Sequence, residues 1–189
     1  MKMINVGHLS GGGEASRRGE TGDLSVLLIK TDSFVKMVGS LTNCFGTAGY
    51  AMIYSMGQEN GANEVKQLRQ DLRRLEAPAD KKELLDRSMR RVSHMGWGKI
   101  SVSEYDPVDG IVNINVKANP FSDKCGAKEA YGCFFLHGYM AGLVSEVMEE
   151  EMEYGVPRCL DVEKGSCVLR LVQASSNTLH KLALQEAVP

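Results

Sequence analysis

Four side chains in this sequence have the types and spacing to do chemistry together. Cys133 and His137 lie four residues apart in a stretch that reads as helix, so they stack on one face. Cys159 and Cys167 flank a tight turn in CLDVEKGSC, and a three-residue turn with Gly165 in the left-handed position puts residues 159, 161, 167 and 169 on one sheet face. A helix packed on that sheet would bring all four together. Thiolate and neutral imidazole are the ligands zinc prefers, in tetrahedral geometry. The same residues also suit plain packing, because unpaired cysteine behaves as a small buried hydrophobe. A separation of eight positions is not a finger spacing, so spacing alone leaves metal and core both open. A disulfide is the least favoured option. The cysteine count of five is odd, the first residues carry no apolar leader, and a reducing cytoplasm is expected. The turn register also makes Cys159 and Cys167 diagonal neighbours rather than an opposed pair.

Other catalytic signatures are missing. No G-x-S-x-G elbow, H-E-x-x-H helix or G-x-G-x-x-G turn occurs, and the Gly11–Gly13 run lacks the Gly-Lys-Ser/Thr ending of a phosphate loop. A net charge of −2 and a pI near 6.1 give no basic field for nucleic acid. Arg69, Arg73, Arg74, Arg87, Arg90 and Arg91 are interleaved with acids and read as a solvated helix face. No apolar run approaches a membrane span. Ten methionines suit an adaptable apolar interior.

The elements that must position the four residues follow from periodicity. Residues 1–23 read as a flexible lead, 24–175 as one domain and 176–189 as a tail. LSVLLIK, 24–30, suits a buried strand. A helix capped at Thr31, Asp32 or Ser33 carries Phe34, Val35, Val38 and Leu41 and is expected to reach about Met56. Gly57 and Gly61 then signal either close approach of another backbone or a kink. A polar helix ends near Ala77–Pro78. Asp80 and Glu83 form a capping box for a third helix that stops at Gly96. The alternating Ile100 and Val102, then Val112, Ile114 and Val116, around Asp109–Gly110 predict a β-hairpin, broken at Asn119–Pro120. A long helix over about 127–152 follows, with the apolar stripe Cys133, His137, Met140, Ala141, Val144, Val147 and Met148 and an acidic end, EEEMEYG. The closing unit, CLDVEKGSCVLRLV, is a second hairpin. Hairpins set apart from helices predict an α+β fold, an antiparallel sheet of two hairpins under a layer of helices.

CFFLHGYMAGLV followed by CLDVEKGSC resembles the 4-vinyl reductase domain, a hydrocarbon-binding family, through Cys133, Gly138, Tyr139, Gly142, Cys159, Gly165 and Cys167. YSMGQENG is similar to that family's Gly-x-x-x-Gly helix end and MGWGKISVSEYDPVDG to its first hairpin, so the resemblance covers roughly 35–172. It implies a fold like that of vesicle-tethering TRAPP subunits, commonly dimeric, hence a homodimer. In a related sensor domain of phenol-responsive transcription activators, zinc is held by cysteines matching Cys133, Cys159 and Cys167 and by a Glu at the position of Val156 here. That departure makes His137 the candidate fourth ligand of a structural zinc, or a polar anchor for the ligand. The family's pocket lies between helices and sheet, which nominates Phe134, Phe135, Tyr139 and Met140 as lining, though each also suits ordinary core packing. The expected function is binding of a small apolar or aromatic molecule, as sensor, carrier or accessory protein. Two alternatives stand beside it: a component of a tetrapyrrole vinyl reductase, which would need a partner's electron source, and a tethering protein without a small ligand, which rests on fold analogy. No catalytic residue is assigned.

Overall fold

The computed structural model describes residues 29–77, 79–121, 131–154, 158–161 and 166–174. The expected strand at 24–30, the turn at Gly165, Val156 and the C-terminal tail lie largely or wholly outside the described residues. Helix α1 (Thr31–Phe45) and helix α2 (Thr47–Arg74) are separated by Gly46 alone. Helix α1 thus ends eleven residues before the expected Met56. The cause is local: Gly46 has φ 58, off the helical path, and its N–H donates to the Thr42 carbonyl at 2.8 Å. No kink follows at Gly57 or Gly61, and α2 runs through both. The capping box is half formed in helix α3 (Lys81–His94). The Asp80 carboxylate accepts from Glu83 N at 2.8 Å, while the Glu83 side chain turns to Arg87.

Strands β1 (Lys99–Asp106) and β2 (Ile111–Lys117) form the expected hairpin, with Ile100 opposite Val116 and Val102 opposite Ile114. Helix α4 (Tyr131–Met148) ends four residues before the expected 152. Ser145 explains the stop: its carbonyl accepts from Glu149 N at 2.8 Å and Glu150 N at 3.2 Å, and its hydroxyl accepts from Met152 N at 3.0 Å. Met152 and Tyr154 therefore belong to a strand, β3 (Met152–Tyr154), not to an acidic helix end. Strands β4 (Arg158–Asp161) and β5 (Ser166–Gln173) complete an antiparallel sheet in the order β1-β2-β5-β3, with β4 also on β5. Cys159 pairs directly with Cys167. The expected diagonal relation is wrong, because Ser166 pairs with Asp161, one residue earlier than a three-residue turn would set it, and a bulge between Cys159 and Asp161 shifts the register by one more.

One sheet face carries Val112, Ile114, Val116, Cys167, Leu169 and Leu171, all buried beneath the helices. The helix layer is organised by one crossing. Gly57 and Gly61 of α2 face Gly138 and Gly142 of α4, backbone against backbone. A Cβ at Gly57 would stand 2.7 Å from Tyr139 N, one at Gly61 would stand 2.9 Å from Leu143 N, and one at Gly142 would stand 2.6 Å from the Gln58 carbonyl carbon. Close approach was one of the two readings the glycine spacing allowed, and the two Gly-x-x-x-Gly pairs are each other's partners.

The arginine face is less solvated than expected. Arg91 bridges Glu64 and Asp71 of α2 at 2.5 and 3.0 Å, three groups that are each mostly shielded from solvent. Arg69 and Lys81 donate to the terminal carbonyls of α4, Glu146 and Met148, at 3.0 and 2.5 Å. Arg73, Arg74 and Arg90 are exposed. No helix among the described residues is long and apolar enough to cross a membrane.

Gly61→Ala forces the backbones of α2 and α4 apart, because no flexible side chain is there to yield. The expected loss is about 3 kcal/mol or more, seen as a fall in melting temperature of about 6–12 °C. Gly96→Ala meets open space but must hold φ 89, so about 1–2 kcal/mol is expected. Equal melting temperatures for the two variants would contradict the crossing.

Candidate functional site

Helix α4 begins as the inner face of the helix layer, and its first two turns carry three sets of side chains in three directions. Phe135 and Tyr139, one turn apart, lie flat against Trp97 from the α3–β1 connection. Their ring centroids are 5.5 and 5.4 Å from the indole, at interplanar angles of 16° and 21°. Phe34 of α1 meets Phe135 edge-on at 5.0 Å and Trp97 at 6.3 Å. Phe121, just past β2, lies 6.0 Å from Phe34 and 5.9 Å from Trp97. Five rings from four segments thus pack on one another as a single aromatic cluster. Phe121, Phe135 and Tyr139 are buried, whereas Phe34 and Trp97 are partly exposed. The Tyr139 hydroxyl is turned to Glu64. Burial, then that carboxylate, raises its pKa above the usual tyrosine value.

The second direction faces the sheet. Cys133 and Cys167 are both buried, and the amide nitrogen of Asn119 lies 3.8 Å from each sulfur. Asn119 is itself 3% exposed. Its Oδ1 accepts from Phe121 N at 2.9 Å, which turns the amide nitrogen toward the thiols. Through that turn the aromatic cluster and the thiol pair share a wall. Cys159 stands opposite Cys167 in the β4–β5 register.

The third direction holds His137 and Phe134. The His137 ring lies 5.1 Å from Tyr154 and 6.5 Å from Phe134. Burial alone pushes its pKa down to about 4, so the imidazole is neutral. Tyr54 of α2 stands 6.3 Å from Tyr154, its pKa pushed up to about 12 by burial and then by Glu153. The Tyr154 hydroxyl is buried without a hydrogen-bond partner. Its pKa is held well above the ordinary value, first by burial, then by Tyr54 and Cys167.

The structure therefore places Cys133 and Cys167 on either side of one amide, that of Asn119, and pairs Cys159 with Cys167 in the strand register. His137 is turned to Tyr154 instead. Among the described residues no three His, Cys, Asp or Glu side chains converge as a metal-holding group. Of the nominated lining residues, Phe135 and Tyr139 stand in the aromatic cluster. Phe134 is 38% exposed and packs on Tyr50 at 4.8 Å, and Met140 is core. Trp97, Phe34, Phe121 and Asn119 are the functional candidates that sequence reasoning passed over. The chain's single tryptophan was the only available signal for any of them. A separate groove of about 530 Å³ lies away from this site, between the ends of α2 and α4 and the start of α3, lined by Arg69, Arg73, Lys81, Leu72 and Leu84 among others.

His137 generates a pH prediction. Its folded pKa of about 4 lies below the ordinary 6.5, so between those values the unfolded chain takes up a proton that the folded one refuses. Acidification through that window destabilises the metal-free protein, and the contribution is restored above it, on the order of 3 kcal/mol in full. Unfolding midpoints of wild type and His137→Gln, measured from neutral pH down to about pH 4, are expected to converge as pH falls. Parallel curves would contradict this placement of the imidazole.

No family model matches the chain, and no curated protein matches it. The resemblance to the 4-vinyl reductase family thus gains no support from a family match. Solved structures do match in fold. The chain is similar to the phenol-responsive sensory domain of the transcription activator PoxR, in its crystal structure with phenol, with a TM-score of 0.62 and 14% identity over 84% of this chain and 83% of that one. At that identity the likeness is one of fold: an α+β domain of the same architecture as a sensory domain.

Proposed function

We propose that this chain is a binding domain for a small apolar or aromatic molecule, acting as a sensor, carrier or accessory protein. The aromatic cluster around Trp97 carries the reading. It combines flat apolar walls with few polar groups, the composition expected of a small-molecule site. Phe135 and Tyr139 form a fixed wall on α4, anchored by the glycine crossing behind them. Phe34 and Trp97 are the partly exposed rings, and these would have to turn aside for a planar guest. Asn119 and the Tyr139 hydroxyl are the polar groups at its border. The fold likeness to a sensory domain solved with phenol supports the same reading.

We also propose a structural zinc. Cys133, Cys159 and Cys167 would hold it and so tie α4 to the β4–β5 pair, closing the wall behind the rings. A homodimer is the assembly we propose. Between Lys36 and Glu59 the sequence contains no charged residue, yet Met37, Phe45, Met52 and Met56 there are exposed. An uncharged methionine and phenylalanine surface suits a second copy of itself. Sedimentation at micromolar concentration is expected to give twice the chain mass, and a monomer across that range would remove the dimer.

Calorimetric titration with phenol and other uncharged aromatics tests the main proposal. Saturable binding is expected, with a change in Trp97 emission. Trp97→Ala is expected to weaken binding about tenfold or more and also to lower the melting temperature, because the indole packs on Phe34, Phe121, Phe135 and Tyr139. Absence of saturable heat across the aromatic panel, together with a stoichiometric protein partner on pull-down, would instead favour the tethering alternative.

A further inference from the structure

The groove where α2 and α4 end and α3 begins has a volume of about 530 Å³, within the range of small-molecule sites. Leu72, Ala77, Ala79 and Leu84 give it an apolar floor, and the two leucines belong to the packed core. Three cations, Arg69, Arg73 and Lys81, and two carboxylates, Glu76 and Glu149, border that floor. Glu149 serves two of the cations, Arg69 at 3.1 Å and Lys81 at 3.9 Å. The same two donate to the last carbonyls of α4 and are held at the groove's edge before any guest arrives. Arg73 differs from both. It is exposed, and its guanidinium has no ion-pair or hydrogen-bond partner among the described residues, Glu76 included. The border therefore carries one positive charge in excess and one guanidinium free to meet an anion.

We propose that this groove is a second ligand site, for a small aliphatic carboxylate. The carboxylate pairs with Arg73, whose planar fork matches it through two parallel hydrogen bonds. The hydrocarbon body covers Leu72, Leu84 and the two alanines. A single excess charge balances a carboxylate and leaves a phosphate dianion under-neutralised. No described aromatic side chain lines the groove, so it offers a planar ring no stacking partner and suits an aliphatic body. The groove shares no residue with the cluster around Trp97, and the two sites stand or fall separately.

The test uses the full chain and three probes: 3-cyclohexylpropionate, its uncharged primary amide, and inorganic phosphate. Calorimetric titration is expected to give saturable binding of the carboxylate, about tenfold or more tighter than the amide and weakening as salt is added. Phosphate is expected not to saturate. In nitrogen-edited NMR spectra the carboxylate is expected to shift the backbone amides of Arg73, Ala77 and Ala79. Arg73→Gln and Arg73→Glu leave an exposed position and are expected to keep the wild-type melting temperature while losing about tenfold or more in carboxylate affinity. No saturable binding of the carboxylate, equal affinities for acid and amide, or wild-type affinity in both variants would each overturn the proposal. So would phosphate binding as tight as the carboxylate, or shifts gathered around Trp97 instead of the groove.

Discussion

The contact on which the rest of the structure depends is made of absent side chains. Four glycines let α2 and α4 cross with backbones touching, and nothing at the crossing can adjust by changing rotamer. Once α4 is fixed this close, its remaining side chains are distributed by helix geometry alone. Residues 135 and 139 must face α1 and Trp97, 133 and 140 must face the sheet, and 134 and 137 must face the first half of α2 and β3. The three sets of groups at the candidate site are therefore consequences of one packing decision.

The second constraint is a short turn. Asn119 and Phe121 are two residues apart and joined by a hydrogen bond at 2.9 Å, so the amide beside the sulfurs and the ring beside Trp97 are one rigid piece. A ligand that shifts the backbone of this turn would move both the ring and the amide, and thermodynamic linkage makes any such effect reciprocal. The charged groups do a different job, and Glu64 alone of those named here also faces the Tyr139 hydroxyl. Arg91 with Glu64 and Asp71 joins α3 to α2, while Arg69 and Lys81 close the end of α4.

What could be read in advance was what neighbouring residues decide among themselves. Asp80 and Glu83 announced a helix start, Asp109–Gly110 a hairpin, and the glycine pairs a close backbone approach. Element ends were harder. Gly46 stops α1 because of its own backbone angle, and Ser145 stops α4 by collecting three donors, neither of which periodicity records. The cysteines were nominated from spacing and resemblance, and the Asn119 amide that lies 3.8 Å from both Cys133 and Cys167 was not. The aromatic cluster was only half legible, since Phe34, Trp97 and Phe121 come from distant segments with no shared pattern. Asn119 read as a strand breaker and Tyr154 as part of an acidic helix end. Each needs the third dimension before its chemistry can be seen.

The bulge between Val102 and Glu104 has a meaning beyond the hairpin that contains it. β1 is an outer strand of the sheet, and such strands invite any passing chain to pair with their open amides. Here the ladder is interrupted partway along, and Lys99, Glu104 and Asp106 add charge to the strand. Across the sheet, β5 has its outer edge already taken by β3 and β4. The β1 border is thus poorly suited to strand-by-strand addition.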